Sequence, residues 1–206
     1  MDKTRVEFLS DGVFAIVLTI LVIDIKLPEF AGEISNQELL MQLAELWPLF
    51  ASFALSFLVI SVFWINHNYL FHTLTKKVDR GLNLLNLLYL LFVVFIPFVA
   101  HMVGEHPYSS VAAIIYGFTI LIVSLLAKAM FLHVLKRPEL HHELSSRFLK
   151  QAHIRMTLTP VSYILGILCA PFFIGGSIFF YVFPMLFNLI PGSIDVLERM
   201  FRFELT

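Results

Sequence analysis

The stretch Arg5-Val-Glu-Phe-Leu-Ser-Asp-Gly-Val-Phe-Ala-Ile-Val-Leu-Thr-Ile-Leu-Val-Ile-Asp-Ile25 decides the fold. It reads as a membrane helix whose first turns carry an arginine, a serine and an aspartate. An ionised residue inside a spanning segment is costly, so it faces a bundle interior or a water-filled path. The rest of the chain agrees with a membrane setting: 59% of residues are hydrophobic, 14% are charged, and the mean hydropathy is +0.86. That balance excludes a soluble globular domain. A hydrocarbon core about 30 Å thick needs roughly 20 apolar residues per helix. Six blocks meet this need, at 6–25, 47–70, 83–103, 111–133, 154–174 and 176–193. The predicted fold class is an all-α polytopic membrane protein, one six-helix domain over residues 1–206.

Charge sets the orientation. Lys3 and Arg5 precede the first span, and Lys76, Lys77 and Arg80 separate the second from the third. Lys136, Arg137, Arg147, Lys150 and Arg155 fall between the fourth and fifth, and Arg199 and Arg202 follow the sixth. All of these share one side, Lys128 snorkels the same way, and Lys26 alone falls on the other. The positive-inside rule then puts both termini in the cytoplasm. The first span begins near residue 1 without a small-residue cleavage pattern, so it is expected to persist in the mature protein. Cys169, the single cysteine, excludes an internal disulfide and reads as a small buried apolar residue.

The connections are short. Ser35-Asn36 is expected to cap an interfacial helix over 37–46, and Gly175-Gly176 to form an outer turn. The segment 134–153, with His141 and His142, reads as a solvated helical link. Pro97, Pro160, Pro171 and Pro184 fall inside predicted spans, where membrane helices tolerate them.

At about 100° per residue, Ile16, Thr19 or Ile20, and Ile23 share one stripe of the first helix. Ser10 and Asp11 lie one to two turns below, and Asp24 sits at the outer mouth. Facing a symmetry axis, this stripe would present an acidic outer ring, an aliphatic constriction with one hydroxyl layer, and a polar inner vestibule. Hydrophobic constrictions gate pores by dewetting. The same stripe would also suit a core or lipid face, and a threonine there commonly bonds its own helix backbone.

The run Arg5-x3-Leu9-Ser10-Asp11-Gly12-Val13-Phe14-Ala15-Ile16-x2-Thr19 resembles the signature of the transmembrane protein 175 family of potassium channels. Leu9 stands where that pattern has phenylalanine. Trp64-x2-His67 in the second span, and Asn83 to Pro97-Phe98 in the third, are similar as well. The resemblance implies a homotetramer of six-helix subunits whose first helices line a central pore. It implies that Ile16 is the narrowest ring, that Thr19 is the layer tied to potassium preference, and that Ile20 and Ile23 extend the narrow region outward. Permeant potassium would pass near Ile16 and Thr19. The expected function is a leak-like potassium channel in a prokaryotic plasma (inner) membrane. No cofactor, tightly bound metal or nucleic-acid partner is expected; the partners are the lipid bilayer and monovalent cations.

Depth matching adds a reading independent of the resemblance. Antiparallel spans place Arg5, Ser10 and Asp11 level with Trp64, Asn66, His67, Asn68, Asn83 and Asn86. Buried polar groups must find partners. An Arg5–Asp11 pair, completed by Ser10, Trp64 and His67, is expected to hold the lower part of the first helix. No Thr-Val-Gly-Tyr-Gly loop occurs, so selectivity cannot come from a carbonyl cage. An enzyme reading fails on geometry: Ser10 and Asp11 are adjacent and point about 100° apart. A secondary transporter would want a midplane site, whereas Ile16 to Ile20 is mainly apolar. A secondary transporter using the same helix, a proton pathway through the same pore and a non-conducting scaffold stay open.

Overall fold

The structure, a computed structural model, describes residues 2–27, 35–142 and 146–189, without the side chains of Ser146 and Phe148. Helix α1 (Lys3–Ile20) starts at Asp2, whose carboxylate accepts from the Thr4 N–H at 3.1 Å, and tightens into a 3-10 turn over Leu21–Asp24. Helix α2 (Asn36–Glu45) is short and begins in a capping box. Ser35 Oγ accepts the Glu38 N–H, and the Glu38 carboxylate accepts the Ser35 N–H at 2.8 Å. Helix α3 (Trp47–Asn68) carries Pro48 in its first turn, where the missing N–H costs nothing, and runs into a π turn at Tyr69–Leu74. Helices α4 (Arg80–Glu105), α5 (Ser110–Leu135), α6 (Ser146–Cys169) and α7 (Ile174–Leu189) follow.

Five of these helices are long and apolar enough to cross a membrane, and α7 is a shorter apolar helix. The expected last span, 176–193, therefore lies partly outside the described residues. Two boundaries differ from the sequence reading. Helix α6 starts before the expected fifth span, at Ser146, and ends at Cys169 rather than at 174, so the last part of the helical link expected over 134–153 is continuous with that span. The outer turn is Ala170–Phe173, not Gly175-Gly176, which sit in the first turn of α7. The cause is Pro171, which lacks an N–H and disfavours a helical residue before it. The Phe172 and Phe173 N–H groups instead turn back onto the Cys169 carbonyl at 3.0 and 2.8 Å. Cys169, at that helix end, is half-buried rather than fully buried.

Helix α4 is the spine of the bundle, packing against α1, α3 and α5. Its inner stripe, Leu82, Tyr89, Val93, Ile96 and Val99, is almost wholly buried. In a membrane, packing and polar links rather than water exclusion hold helices together. Here those links are Tyr89 Oη to the Phe63 carbonyl at 3.2 Å, Ser56 Oγ to Tyr116 Oη at 3.1 Å and Tyr181 Oη to the Ala113 carbonyl at 2.9 Å.

The α4–α5 hairpin closes at its charged end. Asp79 caps α4 by accepting the Leu82 N–H at 2.7 Å, and also receives His133 and Arg137 from the end of α5. Burial pushes the Asp79 carboxyl up. The bonds from Leu82 and His133 and the charges of His133 and Arg137 outweigh it, holding the group below the usual carboxylate range. Beside it, the Lys76 N–H bonds the Leu140 carbonyl and the His142 N–H bonds the Leu74 carbonyl, so two loops at this end form one seam.

Candidate functional site

Helix α1 divides into two faces. Val6, Ser10, Phe14, Val17 and Leu21, spaced four, four, three and four apart, are buried against α3 and α4. The other face carries Gly12, Ile16, Thr19, Ile20 and Ile23, all exposed on the single chain. Ile16 is 59% and Ile23 62% exposed. A Cβ built on Gly12 would meet nothing within 4 Å. The expected aliphatic stripe therefore exists as one continuous face that the chain's own helices leave uncovered.

Thr19 follows the behaviour of a membrane-helix threonine. Its hydroxyl donates to the Ala15 carbonyl at 3.1 Å and the Ile16 carbonyl at 2.9 Å. With the hydrogen committed to the backbone, what remains is the acceptor side of the oxygen. Asp24, on the 3-10 turn, is half-buried and lines a small crevice with His101, Leu49, Phe53 and Pro97.

Below the stripe the polar cluster forms, with one change of membership. Ser10 and Asn86 are fully buried, and His67 is 4% exposed. Asn86 Nδ2 donates to Ser10 Oγ at 3.1 Å, and Ser10 Oγ donates to the Val6 carbonyl at 2.9 Å. His67 Nε2 meets Asn86 Oδ1 at 2.7 Å. Since that oxygen only accepts, Nε2 carries the hydrogen. The imidazole is held between the rings of Phe71 and Tyr89, with centroids 4.5 and 5.5 Å away and both nearly parallel to it. Separately, Trp64 Nε1 donates to Asp11 Oδ1 at 2.9 Å.

Arg5 does not join. It is exposed, and its expected pair with Asp11 is absent. Six residues along a helix is a rise of about 9 Å and a turn of about 120° away from the starting face, too far for one side chain to close. Asn86, expected only to lie at this depth, is instead the hub joining α1 to α3 through α4. Its signal in the sequence is an amide within the apolar run from Leu82 to Phe98. Of the other depth-matched residues, Asn68 lines a cavity of about 140 Å3 with Glu7, Asp11, His67 and His72 at the foot of α1, while Asn66 belongs to a different cavity.

Comparison with known proteins points one way. Residues 5–97 match the family model described as endosomal/lysosomal potassium channel TMEM175. A potassium channel of Streptomyces collinus is 34% identical over 171 residues, spanning 81% of each chain. The endosomal/lysosomal proton channel TMEM175 of Gallus gallus is 40% identical over 81 residues, 37% of this chain and 16% of that one. Among solved structures, a lysosomal potassium-selective channel TMEM175 homolog from Chamaesiphon minutus superposes with a TM-score of 0.73 at 28% identity. That match covers 92% of this chain and 99% of the other.

Proposed function

This chain belongs to the TMEM175 family of ion channels, and from that premise we propose that it is a potassium-selective, leak-like channel gated by an aliphatic constriction. In this reading four copies surround a pore lined by the uncovered face of α1. One observation carries it: the stripe Ile16, Thr19, Ile20 and Ile23 is the side of α1 that the fold leaves open, while the opposite side is locked into the bundle.

Ile16 forms the narrowest ring. A branched aliphatic ring of small bore expels water, and the resulting dry gap holds the pore at low conductance. An ion that crosses must shed part of its hydration, which costs less for potassium than for the smaller sodium ion. Three residues further along, the Thr19 oxygens offer acceptors whose hydrogens point away from the lumen, into the helix backbone. Asp24 stands at the outer end and favours cations near the mouth. The polar network below does not touch the ion. It fixes the rotation of α1 about its own axis, so that the aliphatic stripe faces the pore. Family membership also places the protein among channels rather than enzymes. Bacterial relatives and the clustering of basic residues fit a multi-pass protein of a prokaryotic inner membrane with both termini cytoplasmic.

The test is the reversal potential of the purified protein in a planar bilayer under asymmetric potassium and sodium at fixed pH. A reversal near the potassium equilibrium value is expected, with larger current from Ile16→Asn. The second reading, a proton pathway through the same stripe, is favoured by the Gallus gallus relative, which is named a proton channel. A reversal that ignores potassium and follows pH would establish it instead.

A further inference from the structure

Helix α2 buries none of its ten residues fully, although five of them are apolar. A helix this short is marginal in water even with a capping box, so its apolar side calls for a surface. At about 100° per residue the helix sorts into three sides. Leu39 and Gln42 are its partly buried residues, and the Gln42 Oε1 atom is shielded, so this side meets the protein. Glu38 and Glu45 stand exposed about 80° round from it. On the opposite flank, about 120° from the protein side, Leu40, Leu43 and Ala44 form an exposed apolar side. Leu40 is 67% exposed. Met41, the remaining apolar residue, lies on the border between the two exposed sides.

Two features say what covers the apolar side. The first is the joint to α3, a helix long and apolar enough to span a membrane. Only Leu46 separates the two helices; its ψ is 3°, and Pro48 has no N–H to carry the helix through. Trp47, 57% exposed, opens α3 where an interfacial aromatic belongs. The exposed apolar side then continues along α3 as Phe50, Ala54, Phe57 and Leu58. Helix α2 therefore starts at the edge of the bilayer, at the end of the bundle opposite the charged loops. The second feature is the order of the sides. Carboxylates and apolar residues stand about 160° apart, with the protein to one side of both, which is the order of a rod lying on a bilayer against the bundle. A second copy of the chain could cover Leu40 and Leu43, but would leave the opposed placement of the carboxylates without a cause. The helix carries no lysine or arginine, so its attraction to lipid rests on apolar insertion and needs no anionic headgroup.

We propose that α2 is a lipid-binding surface helix, with Leu40, Leu43 and Ala44 sunk among the acyl chains and Glu38 and Glu45 in water. The proposal is independent of which ion the pore passes. Spin labelling of the full chain in phosphatidylcholine vesicles tests it, with Cys169→Ala as background so that each protein carries one nitroxide. Labels at Leu40→Cys, Leu43→Cys and Glu45→Cys are compared by their collisions with oxygen, which concentrates in hydrocarbon, and with a nickel chelate present in the water on both sides. The oxygen-to-nickel ratio should be several-fold higher at the first two than at the third. It should place them about 5–10 Å into the headgroup and acyl boundary. Leu43→Glu should lower the ratio at the Leu40→Cys label, and Leu43→Phe should keep it, which separates a lifted helix from a misfolded one. Nickel collisions that dominate at all three labels would put the apolar side in water and overturn the proposal. Exclusion of both reagents from the Leu40→Cys and Leu43→Cys labels would assign that side to protein, a second copy or another part of the chain, and overturn it too.

Discussion

The inward and outward faces of α1 share one backbone and differ in how their groups are satisfied. Inward, the fully buried polar side chains are joined across helices: Ser10 meets Asn86, Asn86 meets His67, and Phe14 fills the space beside them. Outward, Thr19 satisfies itself on its own carbonyls, and Ile16 and Ile23 touch little of the chain. A helix so anchored cannot rotate without breaking the inward bonds, so the outward face is presented in one orientation. The division assigns positioning to one face and leaves the other open to whatever stands across from it.

The sharpest way to break this contrast is a matched pair of truncations. Phe14→Ala empties a fully packed site and should cost about 2–3 kcal/mol, since the cavity penalty persists in lipid although the water-transfer part shrinks. Ile16→Ala should stay within about 0.5 kcal/mol, as substitutions away from packed features do. Thermal melting of the purified protein in one detergent compares them, and equal losses would mean that the outward face is packed too.

Next in size is Asn86→Leu. It leaves the His67 N–H with no acceptor and should destabilise by about 1–2 kcal/mol, the scale of one buried unpaired group. Asn86→Leu combined with His67→Phe should recover part of that loss, because both ends of the bond are then apolar. A double mutant no better than the single one would remove Asn86 from the hub role.

Thr19→Val sharpens the contrast from the outward side. Melting should change by less than about 0.5 kcal/mol, because only bonds within the helix are lost. The reversal potential should move toward weaker potassium preference, and an unchanged value would exclude the hydroxyl layer from selectivity.

The smallest effect is expected at the charged loop end. The native Asp79 carboxyl releases its proton more readily than the unfolded one. Its contribution is thus complete above the unfolded carboxylate value, about 3.9, and fades as pH falls through the lower native value. The melting difference between wild type and Asp79→Asn should therefore be flat through neutral and mildly acidic pH. It should shrink only below about pH 4. A gap that stays undiminished below pH 4 would exclude the Asp79 charge as its source.

Much of this was legible in the residues. Antiparallel spans fix depth, and depth alone brought Ser10, Asp11, Trp64 and His67 to one level, where the structure joins Trp64 to Asp11 directly and His67 to Ser10 through Asn86. What depth cannot give is azimuth. Arg5 has the right height and the wrong side, and Asn86 looked no different from Asn83 until α4 was rotated into place. The α6–α7 turn was misread for another reason: a glycine pair only permits a turn, whereas Pro171 withholds an N–H where α6 ends and comes first, although Pro97, Pro160 and Pro184 are carried within helices. The exposed stripe of α1 stands between these cases. Spacing showed that Ile16, Thr19 and Ile23 can share a face, and burial of the other side determined which face stays open.

The row His67, Asn86, Ser10, Val6 carries one further consequence. Each member donates to the next, so the hydrogens all point the same way. Moving the imidazole hydrogen to the other nitrogen would oblige the Asn86 amide to flip, and Ser10 to turn its hydroxyl away from Val6 and toward Asn86. No member can reverse alone without losing a bond. Because the Val6 carbonyl can only accept, the reversed order would leave it without Ser10, so the row has one fully bonded sense, and it runs from α3 to the helix that carries Ile16.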